Sequence, residues 1–127
     1  PVFIEASSPA LCDELEAFAR RLSRTVIRSD SAQRAKVHLA AVFACNFANR
    51  MYALGERIAR DAGLDFGVLK PLVTETAAKA RDVQTGPAAR HDAATLERHL
   101  ALLADDPEMQ ELYSKISQNI WETSKRT

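Results

Sequence analysis

The sequence predicts a mainly α fold, a helical bundle around one long central helix preceded by a short βαβ unit, and three observations carry that prediction. Residues 31–62, SAQRAKVHLAAVFACNFANRMYALGERIARDA, meet no Gly or Pro before Gly55 and give about nine helical turns. The stretches that follow repeat apolar residues at three- and four-residue steps. Ahead of residue 31, two short β-branched runs flank one further stretch of helical spacing.

Taken in order, Val2 to Ala6 (VFIEA) reads as a buried strand, and Ser7, Ser8 and Pro9 read as a helix start with Ser8 as N-cap and Pro at the first helical position. Leu11, Leu15, Phe18 and Leu22 then make one apolar stripe, and Thr25 to Arg28 (TVIR) a second strand. Strand, helix and strand within 30 residues predict a parallel pair that belongs to a larger α/β sheet or pairs across a dimer. Ser29, Asp30 and Ser31 offer N-cap oxygens to the long helix, and Gly63 offers its left-handed exit. Asp65 marks the next start, with Pro71 at the beginning of the helix or in a kink. The segment Asp82–His91 has no period, Gly86-Pro87 marks a turn, and Asp92 and Asp106 cap the last two helices.

The long helix is the informative one. Between Val37 and Ala48 its only polar side chains are His38 and Asn46, and a helix apolar all round is a buried helix. Twelve such residues fall short of the roughly 20 that cross a bilayer, so burial by neighbours and by a second copy of the chain is expected instead of a membrane span. A rod on the order of 48 Å is also long for a small domain to cover by itself.

Lys plus Arg and Asp plus Glu each total 17 of 127 residues, so no general field favours nucleic acid or an anionic membrane, and 6% aromatic residues supply no stacking platform. Two widely spaced cysteines, Cys12 and Cys45, fit buried thiols in a reducing, cytoplasmic setting. The start PVFIEASS lacks the basic region and long apolar core of a signal peptide. Pro1, standing where an initiator Met would, enters a strand pattern directly and reads as the continuation of a longer chain.

No GxGxxG, GxxxxGK[ST], HExxH or GxSxG occurs among only four glycines, so the chain alone is expected to bind no dinucleotide. His38, His91 and His99 share no ligand spacing, and no metal is expected. On a continuous helix His38, Val42, Cys45, Asn49, Tyr52 and Glu56 form a stripe with Asn46 beside it, either bonded into neighbouring helices or lining a pocket. The loop Thr85–Asp92, TGPAARHD, places Arg90 and free backbone donors ahead of a helix, an arrangement suited to a carboxylate or phosphate and equally to a solvated turn.

Three stretches together, residues 36–65 with VHLAAVFACN, the TGPAARHD loop, and ERHLALLADDPEMQELY at 97–113, resemble the C-terminal helical region of Rossmann-like proteins with a DUF2520 domain. In that family an HxAAVFxxN stretch and a TGPxARxD loop recur. The resemblance covers about residues 31–120. It implies that residues 1–30 are the βαβ end of a Rossmann-like nucleotide-binding domain and that 31–127 are a helical dimerisation and substrate domain, similar in layout to ketopantoate reductase, pyrroline-5-carboxylate reductase and the 6-phosphogluconate dehydrogenase C-terminal domain. Several such relatives carry a Lys followed one turn later by Asn on the long helix. Here Lys36 is followed by Ala40 and His38 by Val42. The resemblance implies an NADP-dependent oxidoreductase, inactive without its N-terminal domain, acting on a small molecule as a homodimer, with His38 as catalytic acid and Asn46, Thr85 and Arg90 at the substrate. The alternative is a non-catalytic helical module for association.

Overall fold

The computed structural model describes residues 1–79 and 84–125. The fold is mainly α with one small βαβ element, and the chain divides into two compact units, Pro1–Phe66 and Gly67–Thr127. Residues 82 and 83 of the expected non-periodic segment lie outside the described residues.

In the first unit, β1 (Val2–Ile4) and β2 (Val26–Arg28) pair in parallel with Val2 opposite Val26 and Ile4 opposite Arg28. Helix α1 (Pro9–Ala19) crosses between them, its N-terminus capped by the Ser8 hydroxyl, which accepts from the Leu11 N–H at 3.3 Å. Arg28 ties β2 to α1 by donating to Asp13 at 2.6 Å and Glu16 at 2.7 Å, and Glu16 also pairs with Arg20. Ile4 and Ala19 are buried at this crossover. The stripe expected to be core on α1 is not covered, however: Phe18 is 60% and Leu22 72% exposed. Two strands offer a single short helix too little sheet to bury four large side chains.

The long helix starts as expected. Asp30 accepts from the Gln33 N–H at 2.7 Å while the Gln33 side chain accepts from the Asp30 N–H at 3.0 Å, a reciprocal cap that satisfies two otherwise unpaired donors. It ends as expected too. Gly63, at φ +74°, lets the Leu64 N–H reach the Ala59 carbonyl at 2.8 Å and its own N–H reach Arg60 at 2.9 Å.

Between those ends the expectation of one uninterrupted α-helix is corrected. The rod is α2 (Ser31–Ala41), a π-helical segment (Val42–Phe47) and α3 (Ala48–Asp61). A π-turn closes its hydrogen bond five residues on instead of four, so it holds one residue more than the α-turn it replaces. Burial is corrected as well. Leu54 and Ala59 of α3 are buried, and Gly55 leaves room for the Phe66 ring, whose Cε2 would stand 3.1 Å from a Cβ there. Along α2 and the π segment, however, Leu39 is 58%, Phe43 63% and Phe47 50% exposed, and Cys45 is exposed rather than a buried thiol. One copy does not cover its own apolar rod.

In the second unit, Phe66–Leu69 forms a 3-10 turn leading into α4 (Lys70–Lys79), where Pro71 sits in the first turn and no carbonyl partner is lost. Helices α5 (Ala93–Leu102) and α6 (Pro107–Ser124) are capped by Asp92 and Asp106. They are joined by a His99–Tyr113 hydrogen bond of 2.7 Å and by Gln110, which donates to the Leu100 carbonyl at 2.9 Å.

Candidate functional site

His38 and Asn46, the two candidates in the first unit, are both exposed on the rod, so His38 is not a core histidine held by neighbouring helices. The π segment changes their relation. In a continuous α-helix eight residues turn 8 × 100° = 800°, which leaves Asn46 about 80° around the axis from His38. The extra residue in the π-turn takes back most of that angle, so Asn46 comes nearly over His38 at a spacing of roughly 11–12 Å along the axis. Two side chains reaching toward each other from that spacing can bracket one small molecule. The stripe expected for a regular helix is corrected by the same slip: Cys45, Asn49 and Tyr52 turn away from the His38 face.

Thr85 and Arg90 belong to the second unit and are both exposed on the TGPAARHD loop. The loop is a closed turn. The Asp92 N–H donates to the Pro87 carbonyl at 2.9 Å and the His91 N–H to Ala88 at 3.2 Å, with Ala88 6% exposed beneath them. Gly86 has φ +102°, and His91 has φ +52°, a left-handed conformation rarely taken by residues other than Gly, Asn, Asp or His. Asp92 accepts from the Thr95 hydroxyl at 2.8 Å and the Thr95 N–H at 3.1 Å; these bonds first, and the Arg90 and Arg98 charges after them, hold its carboxyl below the usual range.

Two arrangements here were not anticipated. The His91 imidazole stacks on the Trp121 indole with centroids 4.4 Å apart and planes 19° from parallel, and the Lys125 ammonium lies 4.5 Å from the same ring centre. A histidine directly before a capping Asp is a weak signal for the left-handed turn. Nothing local points to a tryptophan 30 residues away.

A cleft of about 530 Å³ lies at the carboxyl end of β1, lined by Phe3, Glu5, Ala6, Ser7 and Arg34, and contains none of the expected site residues. Its two charges are engaged with each other and with the start of α2. Arg34 pairs with Glu5 at 2.5 Å and donates to the Ser29 carbonyl at 3.1 Å, and Glu5 accepts from the Ser31 hydroxyl at 2.9 Å. The Arg34 guanidinium, with the Ser31 hydroxyl next, lowers the Glu5 carboxyl. This cleft fastens α2 to β1 and supplies no idle acid or base.

Residues able to hold a dinucleotide are not found. Gly63 terminates a helix, Gly86 makes a loop and Gly55 admits Phe66, so none of these builds the Gly-rich strand-to-helix turn that cradles a pyrophosphate. Among the described residues no three His, Cys, Asp or Glu side chains gather as a metal site, and no helix is long and apolar enough to cross a membrane.

The profile of DUF2520, a domain of unknown function, matches residues 1–120. The chain belongs to the DUF2520 family. Among solved structures, a Bacteroides fragilis protein provisionally described as an NADP oxidoreductase is 48% identical, with a TM-score of 0.88 over 94% of this chain. The DUF2520 chain spans only 48% of that protein's length. No match was found among curated proteins.

Proposed function

We propose that this DUF2520 chain is the C-terminal helical domain, for substrate binding and dimerisation, of an NADP-dependent oxidoreductase, and that it is inactive alone. The observation that carries this reading is the 48% identity to a protein about twice as long, described provisionally as an NADP oxidoreductase. On this reading residues 1–30 complete a Rossmann-like domain, 31–127 form the helical domain, and the portion of the relative that this chain does not match corresponds to the cofactor-binding part. The enzyme works in the cytoplasm on a small carbonyl or imine compound. His38 gives a proton to the reduced oxygen or nitrogen, Asn46 donates or accepts from the same face, and Thr85 and Arg90 hold an anionic substituent.

The exposed Leu39, Phe43 and Phe47 favour a homodimer seated on the rod, and they equally suit the second reading, a non-catalytic association module. His38→Ala in the full-length parent enzyme separates the two. Catalysis predicts a loss of about 10²–10⁴-fold in turnover at unchanged thermal stability, because the side chain is exposed and carries no packing. Unchanged turnover would favour the module. Tight NADPH binding by residues 1–127 alone would contradict the division of labour.

A further inference from the structure

The left-handed turn at His91 is the least favourable backbone conformation among the described non-glycine residues, and such a conformation persists only where its surroundings over-determine it. The surroundings here are the loop's own hydrogen bonds and the indole of Trp121. The Pro87 and Ala88 carbonyls, which accept from the Asp92 and His91 N–H groups, close the loop, and the His91 carbonyl accepts from Ala93 at 2.9 Å as the chain enters α5. The His91 ring lies flat against Trp121, whose own place on α6 is set by a helix of 18 residues. Arg90 is the residue immediately before this turn, so the angle at 91 decides how the chain carries Arg90 relative to α5.

We propose that Trp121 is a positioning residue: by stacking on His91 it holds the left-handed turn that sets the Thr85–Asp92 loop, and through the loop it places Arg90 for an anionic group of the ligand. The proposal rests on the reading of Arg90 as a substrate contact for its purpose, though not for its structural content. Trp121 itself touches no ligand. The Lys125 ammonium against the same ring adds a second contact that keeps the indole at the end of α6 beside the loop.

The test compares His91→Ala with His91→Gly, and Trp121→Leu with Trp121→Phe and with the double variant His91→Gly/Trp121→Leu. The primary measurement is amide hydrogen exchange at His91 and Asp92, which needs no substrate. His91→Ala, which loses the ring and resists positive φ, is expected to accelerate both amides about tenfold, whereas His91→Gly, which takes that φ freely, is expected to leave them near the wild-type rate. Trp121→Leu is expected to behave like His91→Ala, Trp121→Phe like wild type, and the double variant to be rescued by its glycine. A tryptophan that merely fills space predicts no rescue by glycine, and that result, or equal rates in His91→Ala and His91→Gly, overturns the proposal. Because residue 91 is exposed, the Ala and Gly pair stays informative even where Trp121→Leu fails to fold. The second measurement is the affinity for inorganic phosphate, expected to fall about tenfold in His91→Ala and in Arg90→Ala and to recover in His91→Gly. Exchange rates that follow the pattern while phosphate ignores Arg90→Ala would remove the substrate reading of Arg90 and with it the purpose assigned to the clamp.

Discussion

Gly63 and Asp92 show how much of this chain is decided by single residues at helix ends. Gly63 sits at φ +74° with nothing within 4 Å of where a Cβ would stand, so Gly63→Ala meets no steric neighbour and its cost is purely conformational. We expect a loss of about 1–2 kcal/mol of stability, read as a lower denaturant midpoint at unchanged slope. A second expectation comes from the carboxylates. Glu5 is lowered mainly by Arg34, Glu16 by Arg28, Asp92 by Thr95 and Glu111 by Lys115. The folded chain therefore binds fewer protons than the unfolded one just below the ordinary values of 3.8 for Asp and 4.5 for Glu. Their contribution is complete above those values and is lost as pH falls through the lower folded ones, so a urea titration series should show a plateau near neutrality and a decline below about pH 4. All four carboxylates are exposed to solvent screening, and added salt should flatten that decline.

At the scale of elements, the π segment is the feature that separates what the sequence discloses from what it does not. The caps were legible because they are local: Ser8, Asp30, Gly63, Asp92 and Asp106 each act within three or four residues of themselves. The parallel strands and the Pro71 start followed from equally short patterns. Val42–Phe47 carries no Gly or Pro to announce a change of pitch, so apolar periodicity predicted a regular helix and a polar stripe through Cys45 and Asn49 that the register slip dissolves. The stack of His91 on Trp121 was illegible for a different reason, since it joins a loop to a helix 30 residues on. Deleting Ala44 tests the alignment of His38 with Asn46. Removing one residue should convert the segment to α geometry and keep or raise the thermal midpoint, while turnover of the full-length parent falls about as far as in His38→Ala. Retained turnover in a folded deletion variant would show that the alignment has no part in catalysis.

At the scale of the whole molecule, apolar periodicity told which faces want cover but not what supplies it. Leu11, Leu15, Phe18 and Leu22 were expected in a core, as was the rod, and both surfaces stay open on a single copy. For the rod, Leu39 and Phe47 stand symmetrically four residues either side of Phe43, a pattern that lets the same patch meet itself about a twofold axis. Sedimentation equilibrium of residues 1–127 should show dimers at micromolar concentration, and Phe43→Glu should yield monomers with an intact helical spectrum. A wild-type monomer under those conditions would end the case for self-association. The surplus residue in the rod has a consequence for descent as well. A single-codon insertion rephases every face beyond it at one stroke, so a cousin that lost the codon between Val42 and Phe47 could restore the pairing with His38 only by moving its amide to a neighbouring position, and sequences lacking both the extra residue and the relocated amide should have abandoned the reaction.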